Sequence, residues 1–342
     1  MNTKFQNALK LEPQNTPPVW MMRQAGRYHR HYQALRAKYS FMQLCLEPEL
    51  AAQVALGPVE DFKFDVAILF SDILFPLDAL GFGLSFGDGG PQFERSLTPE
   101  MLSKLPATKE ILQKLHFQKE ALKATREILP KTTSLIGFVG GIFTLFSYAV
   151  GGKHDGHLIP AKQQLPVLFE KFCEHLVPLI IENIELQLRG GAECVMIFDT
   201  AAGELSPDLY SQYILPQLKK IFLRFPKKLG YYSKGTQPRY LQDPIFYDGT
   251  LLGLGFDHRW DLANDCLSVS QRGFVQGNFD QSLLHAAPDD FKKLFKNYLK
   301  KFQNLSPTQR RGWVCGLGHG VLPKTPEENV RAFVQIVQES FA

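Results

Sequence analysis

Leu135-Ile136-Gly137-Phe138-Val139 and Cys194-Val195-Met196-Ile197-Phe198 are two short apolar runs separated by a long helical pattern over Gln164–Arg189. Neither run alternates with polar residues, as expected of strands covered on both faces, and a strand–helix–strand order implies parallel pairing. Further runs of the same kind are Val19–Met22, Val66–Phe70, Leu229–Tyr232, Leu252–Phe256, Phe274–Val275 and Trp313–Leu317. Other helical patterns cover Glu49–Phe62, Glu110–Ile128, Pro207–Phe225, Asp289–Phe302 and Glu327–Phe341, the last with Val330, Phe333, Ile336 and Val337 at helical spacing. Strands and helices in alternation, with eight runs in all, predict an α/β chain closed as a (β/α)8 TIM barrel; a doubly wound open sheet is the alternative.

The 342 residues fit a single barrel domain enlarged by insertions, spanning 1–342 with residues 1–16 as a flexible N-terminal segment. Apolar residues at 44 % and charged residues at 21 % are those of a globular enzyme. A net charge of +4 with no basic run argues against a nucleic-acid partner. Five cysteines with no Cys-x-x-Cys pair suggest reduced thiols and a cytoplasmic protein. No apolar stretch approaches the ~20 residues of a membrane span, and the polar start Met1-Asn2-Thr3-Lys4 is not a signal peptide, so no membrane partner is expected. The glycine-rich stretch Leu80–Gln92 reads as an excursion or hairpin between strand and helix.

A barrel places its chemistry at the C-terminal ends of its strands. In this chain those ends carry Arg23 and Arg27, Ser71-Asp72, Tyr148, Asp199-Thr200, Ser233-Lys234, Asp257-His258, Asn278 and His319, which would face one mouth. Helix capping competes with that reading: Asp72 and Thr200 suit caps, and His319 between two glycines suits a turn. Arg23 and Arg27 lie four positions apart, with Arg36 further on. The planar guanidinium fork suits carboxylates, so a small-molecule substrate bearing several carboxylates is the class expected.

Met21-Met22-Arg23-Gln24-Ala25-Gly26-Arg27-Tyr28, Phe70-Ser71-Asp72-Ile73-Leu74, Leu135-Ile136-Gly137-Phe138, Phe198-Asp199-Thr200, Ala202-Gly203, Leu205-Ser206-Pro207, Val275-Gln276-Gly277-Asn278 and Leu317-Gly318-His319-Gly320 stand in order along the chain. From about Pro18 onward the sequence resembles the uroporphyrinogen decarboxylase family. The resemblance implies a distorted (β/α)8 barrel, commonly a homodimer with facing clefts. The implied reaction removes four acetate carboxyls from uroporphyrinogen III to give coproporphyrinogen III, without metal or organic cofactor. It implies Asp72, Arg23 and Arg27 as the catalytic set. The substrate-binding positions it implies are Arg23, Gln24, Ala25, Gly26, Arg27, Arg36, Asp72, Tyr148, Thr200 and His319. Phe138, Phe198 and Phe256 are candidates for an apolar floor under the tetrapyrrole.

The chain departs from the family pattern at Gly141-Ile142-Phe143-Thr144, at Ala201, at His29-Arg30-His31-Tyr32 and at Leu56-Gly57-Pro58. Two other classes compete with the decarboxylase. A related methyltransferase would need zinc held by a His-x-Cys and a distant Cys, and no His-x-Cys occurs. A tetrapyrrole-binding protein without turnover would retain the cleft.

Overall fold

A computed structural model describes residues 1–87, 90–153, 156–267 and 273–342. Its strands are β1 (Val66–Ile68), β2 (Leu84–Gly87), β3 (Gly90–Phe93), β4 (Ser134–Gly140), β5 (Val195–Asp199), β6 (Leu229–Ser233), β7 (Gly253–Gly255), β8 (Phe274–Phe279) and β9 (Trp313–Leu317). Among the described residues, seven of them form one sheet in the order β1-β4-β5-β6-β7-β8-β9, and every pairing in it is parallel. The strand β2 pairs antiparallel with β3, so the glycine-rich excursion is a hairpin; Asp88 and Gly89 of that stretch lie outside the described residues.

The first apolar run closes the ring without becoming a regular strand. Cys315 N–H donates to Pro18 O (2.9 Å), Trp20 N–H to Cys315 O (3.4 Å), and Asp65 N–H to Val19 O (3.0 Å). Residues 18–20 therefore lie between β9 and the start of β1, as the eighth stave of a distorted barrel. Its own ladder is interrupted because Val19 N–H is taken by the Asp65 carboxylate (2.9 Å). The chain then leaves the sheet at Arg23, whose φ is 58°.

Side chains alternate across the sheet with the period of two expected of strands. Leu135, Val139, Val195, Ile197 and Tyr231 point outward into the main core, where they join Leu176, Ile180 and Ile184 of the helix Glu170–Arg189. Ile136, Cys194, Met196, Tyr232, Phe274 and Val314 fill the barrel interior with Trp20. A third cluster lies under β8 and β9, where Phe302 stacks on Trp313 with ring centroids 3.9 Å apart.

The N-terminal segment differs from expectation. Thr3–Lys10 is a helix capped by the Asn2 side chain, and Phe5 and Ala8 are fully buried in the lower barrel interior. Gln6 donates to the Glu193 carboxylate, and Asn2 to Asp65 and Thr132 O. Residues 3–10 are thus a plug on the bottom of the barrel, and the burial of one aromatic ring holds them there. Among the described residues no helix is long and apolar enough to cross a membrane.

Candidate active site

Asp72 follows β1 by four residues, at the C-terminal end of the barrel. Its Oδ1 accepts from Leu74 N–H (2.9 Å), an Asx-type contact that fixes the carboxylate over the turn entering the helix Phe75–Ala79. Burial pushes the carboxyl up to about 6; the Leu74 N–H and the positive charge of Arg23 pull the other way. The capping alternative is half right, since one oxygen serves the backbone while the side chain still lines a cavity.

That cavity has a volume of about 190 Å³ and brings together Arg23, Asp72, Tyr148, Thr200 and His319, with Ala25, Ser71 and the apolar Met22, Ile68, Phe138 and Phe198. Arg23 reaches it from the closing stave. Its left-handed backbone, uncommon for a residue with a Cβ, turns the side chain out of the sheet direction. The arginine stem lies against Gly320, where a Cβ would come within 2.5 Å of Arg23 Cδ. Val321 N–H donates to Met22 O (2.9 Å) and holds that loop beside it.

Tyr148 stands on the helix Ile142–Gly151, and Asp199 fixes that helix. The Asp199 carboxylate, fully buried, accepts from Thr144 N–H (2.9 Å), Thr144 Oγ1–H (2.7 Å) and Phe143 N–H (3.4 Å). Ala201 N–H donates back to Thr144 Oγ1 (3.0 Å), which locks the loop carrying Thr200. Burial pushes Asp199 to about 6 against those hydrogen bonds. Burial, followed by the negative charge of Asp72, also pushes the Tyr148 phenol up. His319 Nδ1 accepts from Gly320 N–H (2.7 Å), so a neutral ring carries its proton on Nε2. Tyr232 donates to Gly318 O (2.7 Å) from inside the barrel and supports the same turn.

Several expected residues fall elsewhere. Gln24 is buried, and its side chain is spent on the backbone, accepting from Met21 N–H and donating to Val66 O. Gly26, Arg27 and Arg36 do not line the cavity. Arg27 and Arg36 are exposed and flank Tyr32, whose phenol burial pushes up while Arg36 draws it down. Asp257 is a turn residue that accepts from Gly235 N–H and Arg259 N–H. Asn278 is buried and donates to Asp257 O and Trp260 O. Ser233 pairs with Thr236, whereas Lys234 and His258 are exposed away from the cavity. Phe138 and Phe198 line the cavity with centroids 5.7 Å apart, whereas Phe256 packs on Trp260 at 4.9 Å. Ile68 and Met22 also line the cavity, although the sequence places them only in apolar runs. The alternation that puts Val66 inside the barrel also turns Ile68 inward.

The departures from the family pattern are accommodated locally. His29 is buried with Nε2 at 2.6 Å from Asp61 Oδ2. The His31 ring occupies the space above Gly57, where a Cβ would lie 2.4 Å from its Cδ2. The His31 ring therefore needs the absence of a Cβ at position 57.

A larger open groove of about 750 Å³ lies at the opposite end, lined by Gln6, Lys10, Glu193, Lys228 and the residues preceding β7. That end of a barrel serves stability rather than chemistry. Among the described residues no group of His, Cys, Asp and Glu has the arrangement to hold a metal ion.

The sequence profile described as Uroporphyrinogen decarboxylase (URO-D) matches residues 1–340. The chain is 35 % identical over 347 residues to the uroporphyrinogen decarboxylase of Pelobacter propionicus, covering 99 % of this chain and 98 % of that one. It is also 35 % identical over 352 residues to that of Cellvibrio japonicus, covering 99 % and 96 %. Among solved structures, a methyltransferase from Methanosarcina mazei superposes with a TM-score of 0.82 at 22 % identity over 100 % of this chain and 99 % of that one, a likeness of fold. The profile and these relatives cover nearly the whole chain, and the chain belongs to the uroporphyrinogen decarboxylase family.

Proposed function

We propose that the chain removes the four acetate carboxyls of uroporphyrinogen III to give coproporphyrinogen III, with Asp72 as the central catalytic group. Loss of CO₂ from an acetate leaves a carbanion that needs an electron sink. A pyrrole protonated at a ring carbon is such a sink, because its nitrogen then carries positive charge. A fixed carboxylate beside the pyrrole N–H groups stabilises that cation most where water is excluded. The observation that carries the reading is the position of Asp72: one oxygen tied to Leu74 N–H, in a partly desolvated cavity shared with Arg23.

The cavity is smaller than the roughly 300–1,000 Å³ of pockets that enclose a whole ligand. It takes the face of the macrocycle nearest Asp72, and the remaining carboxylates lie in the open mouth. Arg23 meets carboxylates inside, with Tyr148, Thr200 and His319. Arg27 and Arg36, exposed at the rim, meet those outside, the role their fork geometry suits. We further infer a cytosolic homodimer without nucleic-acid partners; a solution mass near 38.7 kDa rather than twice that removes the dimer. A thiol-activating methyltransferase is disfavoured because the sequence has no His-x-Cys, and the described cysteines Cys45, Cys173, Cys194 and Cys315 are buried, their thiols pushed up by that burial.

Anaerobic incubation with uroporphyrinogen III, followed by chromatography of the hepta- to tetracarboxylate products, tests the proposal. The chain yields coproporphyrinogen, and Asp72→Asn lowers the rate by several orders of magnitude while remaining folded. Near-normal product formation by that variant removes the assigned role.

A further inference from the structure

A chain of buried amides ends on the residue next to Asp72. Gln118, on the helix His116–Ile128, donates through Nε2 to Ser71 Oγ (2.9 Å). Its Oε1 accepts from Gln187 Nε2 (3.1 Å), and Gln187 Nε2 also donates to Phe138 O (2.8 Å) and stands 3.5 Å from Asn183 Oδ1. Gln118, Gln187 and Asn183 are 2 %, 0 % and 1 % exposed, on core faces where apolar side chains are the rule.

Each link fixes the direction of the next. The Phe138 carbonyl requires the amide nitrogen of Gln187, which requires the carbonyl of Gln118 to face it. That in turn directs the Gln118 nitrogen to Ser71. A hydroxyl that accepts from Gln118 keeps its own hydrogen to donate, and among the described residues no protein acceptor takes it. Ser71 lines the cavity beside Asp72. Gln187 Oε1 is buried with no partner, a penalty an apolar side chain would avoid.

We propose that Ser71 is a further substrate-binding residue, its hydroxyl proton directed into the cavity by the Gln187–Gln118 relay to hold a carboxylate of the tetrapyrrole. Gln118 and Gln187 are positioning residues that act through it. The inference rests on the decarboxylase reading, which supplies the polyanionic ligand.

Steady-state kinetics with uroporphyrinogen III, beside thermal melting of each variant, test it. Ser71→Ala raises KM about ten-fold, the weight of one hydrogen bond to a charged group, and leaves kcat within about two-fold. Ser71→Thr, which keeps the hydroxyl, restores KM. Gln118→Glu presents a carboxylate that draws the hydroxyl proton inward, so its KM rises as in Ser71→Ala, and the double variant is no worse than Ser71→Ala. Should Gln118→Glu not fold, Gln118→Met, which removes the donor to Ser71 together with the acceptor for Gln187, is read in the same direction. An unchanged KM in Ser71→Ala with a lowered melting temperature makes Ser71 structural and overturns the proposal, as does a wild-type KM in the Gln118 variants. A wild-type chain that leaves uroporphyrinogen III unconverted overturns the decarboxylase reading and this inference with it. Wild-type turnover combined with an indifferent Ser71→Ala overturns the inference alone.

Discussion

In the proposed reaction Asp72 has to be charged where charge is expensive. Its carboxyl sits at about 6 because the cavity withholds water, with Leu74 N–H and Arg23 offsetting part of that. Only the ionised form stabilises a cationic pyrrole, so kcat/KM falls about ten-fold per pH unit below pH 6 and levels off above it. A profile flat down to pH 5 would show that Asp72 does not act as the anion. Of the residues that line the cavity, Arg23, Asp72, Tyr148, Thr200 and His319 are expected from strand-end position and family motif together, and Ala25 from the motif alone. Gln24 was not, because an amide at a motif position looks the same whether it faces a ligand or stitches Met21 N–H to Val66 O. Asp199 likewise follows its strand as an active-site aspartate would, yet spends both oxygens on Phe143 and Thr144. The contact partner, which no residue type reveals alone, separates the two cases. Ser71 is expected at the mouth from its strand-end position, but the proposed direction of its hydroxyl rests on Gln118, 47 positions away.

Among the elements, the seven regular strands and the long helices follow from short apolar runs and helical periodicity, and the boundaries differ by a few residues. Val19–Met22 was counted as a strand and is held as the eighth stave by three backbone bonds and by Asp65. The short N-terminal helix carries Phe5, Ala8 and Leu9 at helical spacing, but eight residues are too few for that pattern to decide; its order comes from the barrel floor it plugs. Asp65 couples the two elements. Its 6 %-exposed side chain accepts from Val19 N–H (2.9 Å) and Asn2 Nδ2–H (2.9 Å) and pairs with Lys4 Nζ (2.7 Å). Asp65→Ala leaves Val19 N–H buried without an acceptor and unties the helix, so urea unfolding should show a loss of about 3 kcal/mol. Asp65→Asn keeps an acceptor for Val19 and should lose less. Equal losses in the two variants would mean that the charge pairing with Lys4, not the closure of the stave, is what Asp65 contributes.

The whole molecule divides its labour along the barrel axis, with the consequence that damage at the two ends has opposite signs. At the bottom, Phe5 belongs to the interior cluster with Cys194 and Phe274 and does not line the cavity. Phe5→Ala should remove about 3 kcal/mol of stability and leave KM unchanged. At the mouth, the folded state raises the Asp72 carboxyl from 3.8 to about 6, so folding is opposed whenever the unfolded chain would ionise it. For a raised carboxyl the penalty is absent below pH 3.8, grows between 3.8 and 6, and is complete above 6. Asp72→Asn keeps the acceptor for Leu74 N–H and carries no charge, so it should be more stable than the wild type by about 3 kcal/mol at pH 8. That advantage should narrow between pH 6 and pH 4 as the wild-type side chain takes up its proton. Asp199, raised to about 6 in the same way, titrates in both proteins and cancels from the comparison. Thermal unfolding of the two proteins at pH 8, 6 and 4.5 measures the difference directly. An Asn variant less stable than the wild type at pH 8 would mean that Arg23 more than repays the desolvation of Asp72, which would make the cavity charge a structural asset and not a burden carried for catalysis.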